Sequence, residues 1–204
     1  KYRKHYFYVF HNRVALMKTS FGCPFTCNFC FCREITGRKY CERPLQEVIR
    51  ELESINEREV YFVDDDFLLD PRRVNDFINY LRERNIKKHF LVYGRADFIA
   101  GHPDIMRSFR EYGLRTVIVG LESFDETELS EFNKKTTESI NRQAMEVLNR
   151  LDISCYAAII ISPKWTKDDF SKAGKVMKEL KIRFVNLQPL TPLKGTETGI
   201  DESD

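Results

Sequence analysis

Residues 21–30 read Phe21-Gly22-Cys23-Pro24-Phe25-Thr26-Cys27-Asn28-Phe29-Cys30 and hold three of the six cysteines of a 204-residue chain. Their C-x3-C-x2-C spacing follows an apolar run at 14–19 that predicts a β-strand. Gly22 and Pro24 are typical of turns, so the cysteines are expected on a loop after this first strand. Thiolates this close in sequence can converge on one soft metal centre.

The chain beyond this loop alternates β-branched apolar runs with stretches of helical periodicity. This alternation is typical of βα units, and near-continuous apolar runs such as 157–161 indicate strands buried on both faces of a parallel sheet. Such a pattern fits either an open doubly wound sheet or a closed or partial (βα) barrel. It predicts strands at 14–19, 59–63, 89–93, 115–120, 153–161 and 183–187, and helices at 45–55, 71–84, 103–112, 140–151 and 167–180.

The length of 204 residues fits one domain. We expect a lead-in or linker at 1–13, a core domain at 14–194 and a polar tail at 195–204. The net charge of +2 gives no reason to expect nucleic acid or an anionic membrane as the main partner. No apolar stretch approaches the roughly 20 residues of a membrane span. Because residues 1–6 also lack the apolar segment of a secretory signal, we expect a cytoplasmic protein.

Five of the six cysteines fall between positions 23 and 41, which favours a metal or redox site over a disulfide framework. A structural zinc site needs four ligands, usually in two paired halves, and the second half is weak here because Cys32 is too close and Cys41 is single. A [4Fe–4S] cluster held by three thiolates would leave one iron open to another ligand. Structural zinc and unrelated cysteines are the alternatives, and the spacing favours the cluster.

The run Cys23-x3-Cys27-x-Phe29-Cys30 resembles the signature of the radical S-adenosylmethionine (radical SAM) enzymes. Residues 63–70, 94–97, 119–123 and 189–196 are similar to later segments of the branch that often carries an N-terminal cobalamin-binding domain. That branch includes anaerobic ring cyclases and carbon methyltransferases. The resemblance implies an α/β fold, a partial (βα)6 barrel of the TIM type in which outer helices cover a parallel sheet and the sixth helix is absent.

The resemblance also implies an activity. Cys23, Cys27 and Cys30 would be the metal ligands and catalytic residues that hold a [4Fe–4S] cluster, whose open iron binds S-adenosylmethionine. Reductive cleavage of this cofactor would give a 5′-deoxyadenosyl radical that abstracts hydrogen from a small-molecule substrate. A flavodoxin- or ferredoxin-type donor would supply the electron, and any cobalamin would come from a domain outside this chain. The alternative is a structural zinc or electron-transfer iron–sulfur module without catalysis.

Three predicted strand ends offer further cofactor contacts. By resemblance, the aspartates at 64–66 face the cofactor amino group, with Asp65 as first choice, although a solvated acidic turn or a Mg²⁺ or Ca²⁺ site also fits them. Arg95 could bind a carboxylate, or it could pair internally with Asp97. Glu122 could accept hydrogen bonds from ribose hydroxyls or from the cofactor ammonium group.

The adenine of the cofactor is expected to have apolar neighbours. The resemblance places Phe29 and Leu190 near it. The chain departs from the family at Ser162-Pro163-Lys164-Trp165, where a glycine-rich turn is common, and Lys164 adds charge there. Trp165 is alternatively a hydrophobic staple at the start of the fifth predicted helix.

Overall fold

The computed structural model describes residues 5–8 and 13–197 and contains a six-stranded parallel sheet with helices against its outer face. The strands follow one another across the sheet in chain order, as successive βα units require. The edge strands of the described sheet do not pair with each other, so the barrel is open. The predicted parallel sheet with outer helices is confirmed. The strands are β1 (Val14–Met17), β2 (Ser20–Phe21), β3 (Cys41–Glu42), β4 (Glu59–Phe62), β5 (His89–Arg95), β6 (Leu114–Glu122), β7 (Ser154–Ile161) and β8 (Phe184–Pro189), of which β2 and β3 form a separate antiparallel pair.

The helices connect the strands and begin at residues that favour helix starts. Asp70 caps one helix by accepting a hydrogen bond from the Arg72 backbone N–H, and Pro71 occupies the first helical position. Five helices lie where periodicity predicts them, whereas three shorter helices and the β2–β3 pair are too short to produce a periodic pattern. The helices are α1 (Cys32–Ile35), α2 (Leu45–Glu53), α3 (Pro71–Glu83), α4 (Ala96–Gly101), α5 (Pro103–Glu111), α6 (Glu126–Glu131), α7 (Glu138–Arg150) and α8 (Lys167–Glu179).

Four phenylalanines form the centre of the core between the sheet and the helices. Phe62 and Phe90 come from β4 and β5, and Phe77 and Phe109 come from α3 and α5. Their ring centroids lie between 5.4 and 5.8 Å apart, and all four side chains are completely or almost completely buried. Interlocked aromatic rings of this kind leave little freedom for the strands, so the ends of β4 and β5 are held in place.

The inner face of the sheet carries tyrosines. The ring of Tyr8 lies 5.0 Å from that of Tyr61 and 6.0 Å from that of Tyr156, and Tyr61 lies 5.9 Å from Tyr93. Tyr8 belongs to the predicted lead-in at 1–13. Residues 1–4 and 9–12 of that lead-in, and 198–204 of the predicted tail, lie outside the described residues. The boundaries at 13 and 195 therefore stay predictions.

The edge strand β8 has an uncovered outer face. Val185 and Leu187 pair with Ala157 and Ile159, which belong to the core on the helix side of the sheet, yet they are 44% and 41% exposed. No helix follows β8 in the described chain up to residue 197. None of the described helices has the length and apolar character needed to cross a membrane.

Candidate active site

The cysteine loop leaves the sheet through the β2–β3 pair and is held at its first turn. Gly22 has a φ of +79°, and a Cβ there would lie 2.1 Å from the Lys39 carbonyl oxygen, so only glycine fits. The Gly22 backbone N–H donates to Asp65 Oδ2 at 2.9 Å, and this carboxylate also lies 3.8 Å from the Lys18 ammonium group. The loop is therefore tied to the end of β4.

The three aspartates after β4 have different environments. Asp64 is buried and accepts hydrogen bonds from the Thr19 backbone N–H and from the Thr19 and Ser20 hydroxyls, at 2.6, 2.5 and 3.0 Å. Asp66 is 3% exposed, and neither of its carboxylate oxygens has a hydrogen-bond partner of normal geometry among the described residues. Burial raises the pKa of Asp66 to about 7. Asp64 and Asp65 are thus engaged within the protein, whereas Asp66 lines the cavity without such a hydrogen bond.

Arg95 at the end of β5 connects the sheet to the cysteine loop. Its Nε and Nη2 each donate to the Asp97 carboxylate at 3.0 Å, so the internal pair considered from the sequence is present. Nη2 also donates to the Lys134 carbonyl oxygen at 2.8 Å. The guanidinium group lies 3.8 Å from the centroid of the Phe25 ring, and Nη1 lies 4.0 Å from Cys27 Sγ. A cation is therefore fixed beside one of the three thiols.

Glu122 projects from a β-bulge at the end of β6. The register with β7 shifts between Gly120 and Glu122, and Glu122 has a φ of +61°, which is strained for a residue other than glycine. Its Oε1 accepts a hydrogen bond from Lys134 Nζ at 2.8 Å. A Cβ on Gly120 would lie 2.4 Å from this oxygen, so glycine makes room for the pair. Burial is the largest influence and lowers the pKa of Lys134, but the charge and hydrogen bond of Glu122 together with Cys27 outweigh it, so the pKa is raised overall.

The segment between α6 and α7 holds the cysteine loop from the other side. The Asn28 backbone N–H donates to the Phe132 carbonyl oxygen at 3.2 Å, and the Asn133 side chain donates to the Thr26 carbonyl oxygen at 2.7 Å. The Phe29 ring meets the Phe132 ring edge-on at 5.6 Å. Because these contacts join residues about a hundred positions apart, the loop conformation depends on the complete fold.

The three thiols open into one cavity of about 170 Å³ at the carboxyl ends of the strands. In the described part of the chain, no three histidine, cysteine, aspartate or glutamate side chains are arranged as ligands of a single metal ion. A cavity shared by three thiols, an unpartnered carboxylate and two cations suits a multi-atom cluster with an organic ligand. Its lining comprises Cys23, Phe25, Cys27, Phe29, Cys30, Asp65, Asp66, Tyr93, Gly94, Arg95, Ile118, Gly120, Glu122, Lys134 and Ala158.

The three thiols differ in acidity. Burial raises the pKa of Cys23 to about 11 and also raises the pKa of Cys27. A hydrogen bond with the Cys32 side chain is the main cause that lowers the pKa of Cys30 to about 6. Cys30 is therefore the most readily ionised thiol. Cys23 and Cys27 need a positive centre, such as a metal, to hold them as thiolates at neutral pH.

Four of the five residues predicted to contact the cofactor line this cavity, namely Phe29, Asp65, Arg95 and Glu122. The fifth, Leu190, lies outside the lining, where its backbone N–H donates to the Ile161 carbonyl oxygen at 2.9 Å. This position follows from the end of β8, which stops level with Ile161 on β7.

One further residue of the site, Lys134, has no clear signal in the sequence. Lys134 is buried in the cavity, but in the sequence it is one of many lysines in polar surroundings. Trp165 lies outside the cavity lining, packs edge-on against Phe170 at 5.1 Å and is the predicted staple of α8. Of the remaining cysteines, Cys41 is exposed and Cys155 is buried in β7.

Comparisons with known proteins agree with this geometry. The sequence profile described as the Radical SAM superfamily matches residues 17–176 of the chain. The hopanoid C-3 methylase of Methylococcus capsulatus is 26% identical over 203 residues, which cover 100% of this chain and 39% of that protein. The anaerobic magnesium-protoporphyrin IX monomethyl ester cyclase of Cereibacter sphaeroides is 26% identical over 187 residues, which cover 88% of this chain and 30% of that protein.

Solved structures show the same fold. The radical S-adenosylmethionine methyltransferase TsrM from Kitasatospora setae matches with a TM-score of 0.79 at 18% identity, over 92% of this chain and 38% of that one. The cobalamin-dependent S-adenosylmethionine radical enzyme OxsB matches with a TM-score of 0.69 at 18% identity, over 90% of this chain and 28% of that one. The chain thus spans less than half the length of each of these proteins.

Proposed function

The chain belongs to the radical SAM superfamily, and from this premise we propose that it is the core of a radical S-adenosylmethionine enzyme. In this proposal Cys23, Cys27 and Cys30 hold a [4Fe–4S] cluster, and S-adenosylmethionine occupies the cavity beside it. The observation that carries the proposal is that three thiols share one cavity with the unpartnered Asp66 and the cations Arg95 and Lys134. When bound, cluster and cofactor supply reductive cleavage of a carbon–sulfur bond and hence a 5′-deoxyadenosyl radical.

The polar groups of the cavity complement the two charges of an amino acid. Asp66 offers a buried carboxylate to an ammonium group, and the absence of a hydrogen bond of normal geometry to either of its oxygens favours it over Asp65, which holds Gly22. Arg95 and Lys134 offer cations to a carboxylate. Glu122 keeps Lys134 charged and oriented, so its main role is positioning. Phe29 lines the cavity and provides an apolar wall for an adenine ring. Leu190 follows the last residue of β8 and does not line the cavity.

The remaining parts of the proposal concern the complete protein. Relatives named as methylases and cyclases suggest methyl transfer or ring closure on a small-molecule substrate, with hydrogen abstraction as the shared first step. Cobalamin, which is named for OxsB, would be bound by a domain outside this chain. The electron would come from a flavodoxin- or ferredoxin-type donor in the cytoplasm.

Anaerobic reconstitution with iron and sulfide tests the proposal. We expect about four iron and four sulfide per chain, and release of 5′-deoxyadenosine after dithionite and S-adenosylmethionine are added. Zinc at about one per chain, or a cluster that does not respond to S-adenosylmethionine, would support the structural or electron-transfer alternative instead. Both readouts are independent of the unknown substrate.

A pair of cysteine variants serves as the matched control. Cys27→Ala removes a thiol that lines the cavity, so the variant should bind little iron. Cys41→Ala removes an exposed thiol outside the lining and should bind as much iron as the unchanged protein. Full iron binding by the Cys27 variant would place the ligands elsewhere.

A further inference from the structure

A second cavity lies at the opposite end of the sheet, where the strands begin. It has a volume of about 340 Å³, within the range of small-molecule sites. We call it the basic pocket, and its charged lining comprises Arg58, Arg82, Lys87, Lys88, His89, Glu111 and Arg115. None of these residues lines the thiol cavity, so the pocket is a separate site.

Two of its cations are fixed by backbone carbonyls. Lys88 Nζ donates to the carbonyl oxygens of Ile55 and Glu57, at 2.5 and 2.9 Å. Arg115 Nη1 donates to the carbonyl oxygens of Arg110 and Leu114, at 2.8 and 2.9 Å. Neutral carbonyls orient these side chains without cancelling their charge. The pocket is therefore preorganised and positive.

The backbone is shaped to bring these cations together. The register between β5 and β6 shifts because Phe90 pairs with Leu114 and Leu91 pairs with Thr116, so Arg115 is the extra residue of a β-bulge. Bulges redirect a side chain, and they are frequent beside functional sites. Gly113 has a φ of +124°, and a Cβ there would lie 2.2 Å from the Lys88 carbonyl oxygen, so glycine permits the close approach of the two strands.

Acidic neighbours offset only part of the charge of the pocket: burial lowers the pKa of Lys88 and Glu57 raises it, but the pKa stays lowered overall. Glu59 lies 2.8 Å from the ring of His89, and Asp152 lies 3.0 Å from Arg110. Both carboxylates therefore already have a basic partner. Arg82 lies in the last turn of α3, where its charge complements the helix dipole.

The other cations of the basic pocket repel one another. Arg58, Lys87, Lys88 and Arg115 face a single lining carboxylate, that of Glu111. Burial lowers the pKa of Arg115, and the nearby charges of Arg110 and Arg58 lower it further. Glu59 and Asp152 oppose this shift, but the pKa stays lowered overall. An anion in the pocket would relieve this repulsion.

We propose that the basic pocket binds a small molecule through a di- or triphosphate group. Guanidinium groups bind phosphate oxygens in pairs, and lysine adds a compact charge, so Arg58, Arg115 and Lys88 match a ligand with several anionic oxygens. The concave shape and the volume of about 340 Å³ favour a small molecule over a flat macromolecular surface. This site lies away from the thiols and does not depend on the function proposed for them.

Isothermal titration with sodium tripolyphosphate at about 0.1 M salt tests the proposal. We expect saturable one-to-one binding. The double substitution Arg58→Ala with Lys87→Ala should weaken it by about tenfold or more, which corresponds to a loss of at least about 1.4 kcal/mol of binding free energy. Both side chains are exposed, so the fold should be retained. Absence of binding to the unchanged protein would overturn the proposal.

A matched double substitution separates the pocket from the general charge of the protein. Lys175→Ala with Lys178→Ala removes the same two charges from the exposed surface of α8, outside the pocket, and should change the affinity less than twofold. An equal loss in both double variants would contradict the proposal. Sedimentation with phosphatidylglycerol vesicles tests whether the pocket binds a membrane surface instead. The small-molecule site would be overturned if the protein sedimented with the vesicles, lost this binding in the Arg58 and Lys87 double variant, and did not bind tripolyphosphate.

Discussion

Lys134 Nζ donates a hydrogen bond to Glu122 Oε1 at 2.8 Å, and the two side chains are 8% and 10% exposed. Glu122 comes from the bulged end of β6, and Lys134 comes from the segment after α6 that holds the cysteine loop. Each charge is buried, so each depends on the other for compensation. The pair therefore links the end of the sheet to the wall of the candidate cofactor site.

Lys134→Met should lower the free energy of unfolding by about 3–5 kcal/mol, because it leaves the Glu122 carboxylate buried without its cation. Urea denaturation of the protein prepared without iron measures the loss. Adding Glu122→Gln to Lys134→Met should restore part of the stability, since the stranded charge is then gone. Lys164→Met is the control, because its side chain is 83% exposed and a change within about 0.5 kcal/mol is expected. A similar loss in both single variants would contradict the role of the buried pair.

Substitution by asparagine should change the free energy of unfolding in opposite directions at Asp64 and Asp66. Asp66→Asn removes a buried charge with no hydrogen-bond partner and should stabilise the protein by about 1–3 kcal/mol at pH 8. Asp64→Asn should destabilise it, because Asp64 accepts three hydrogen bonds at the ends of β1 and β4. Loss of stability in both variants would mean that Asp66 has a structural partner.

The effect of Asp66→Asn should depend on pH in a defined window. The pKa of Asp66 is raised from 3.8 to about 7, so the folded protein keeps a proton that the unfolded chain releases. Stability due to this proton is complete below pH 4 and is lost as the pH rises towards 7. The stability difference between the variant and the unchanged protein should therefore be small at pH 4 and largest above pH 7. Denaturation curves at several pH values measure it, and a constant difference would contradict the shifted pKa.

Two glycine-to-alanine substitutions should also change the stability of the protein in opposite directions. Gly120→Ala places a Cβ 2.4 Å from Glu122 Oε1 and 2.7 Å from Lys134 Nζ, so the buried pair must move and stability should fall. Gly174→Ala lies within α8 with no atom close to the new Cβ, and it should stabilise the protein by about 0.5–1 kcal/mol. Thermal unfolding of the two variants, prepared in parallel, compares them. Equal stability of the two would show that the pair tolerates a side chain at position 120.

The sequence is sufficient to predict the six strands of the parallel sheet and the residues at their ends. The apolar runs before Asp65, Arg95 and Glu122 determine where β4, β5 and β6 end, and parallel strands bring those ends to one edge. Cys23, Cys27 and Cys30 are predictable for the same reason, because their loop follows the first strand. These predictions need only local periodicity and the rule that successive βα units place strands side by side.

The choice among neighbouring polar residues is not predictable in this way. Asp65 and Asp66 both line the cavity and have almost identical sequence contexts, but only Asp65 accepts the Gly22 backbone N–H, while the Asp66 oxygens have no such bond. Lys134 reaches the cavity because of contacts across about a hundred residues. The bulges that redirect Arg115 and Glu122 depend on how β6 aligns with its two neighbours, which no local pattern shows.

Trp165 is the only tryptophan of the chain, so its fluorescence reports on the start of α8. Its indole N–H donates to Glu128 Oε1 at 2.6 Å, and its ring packs against Phe170. Trp165→Phe keeps an aromatic ring but loses the hydrogen bond to a charged group, so we expect a loss of about 1–2 kcal/mol in unfolding experiments. Trp165→Ala also loses the ring contact and should cost about 0.5–1.5 kcal/mol more. Because Trp165 lies outside the thiol cavity, both variants should bind as much iron as the unchanged protein, and reduced iron binding by Trp165→Phe would show that this side chain supports the cluster site after all.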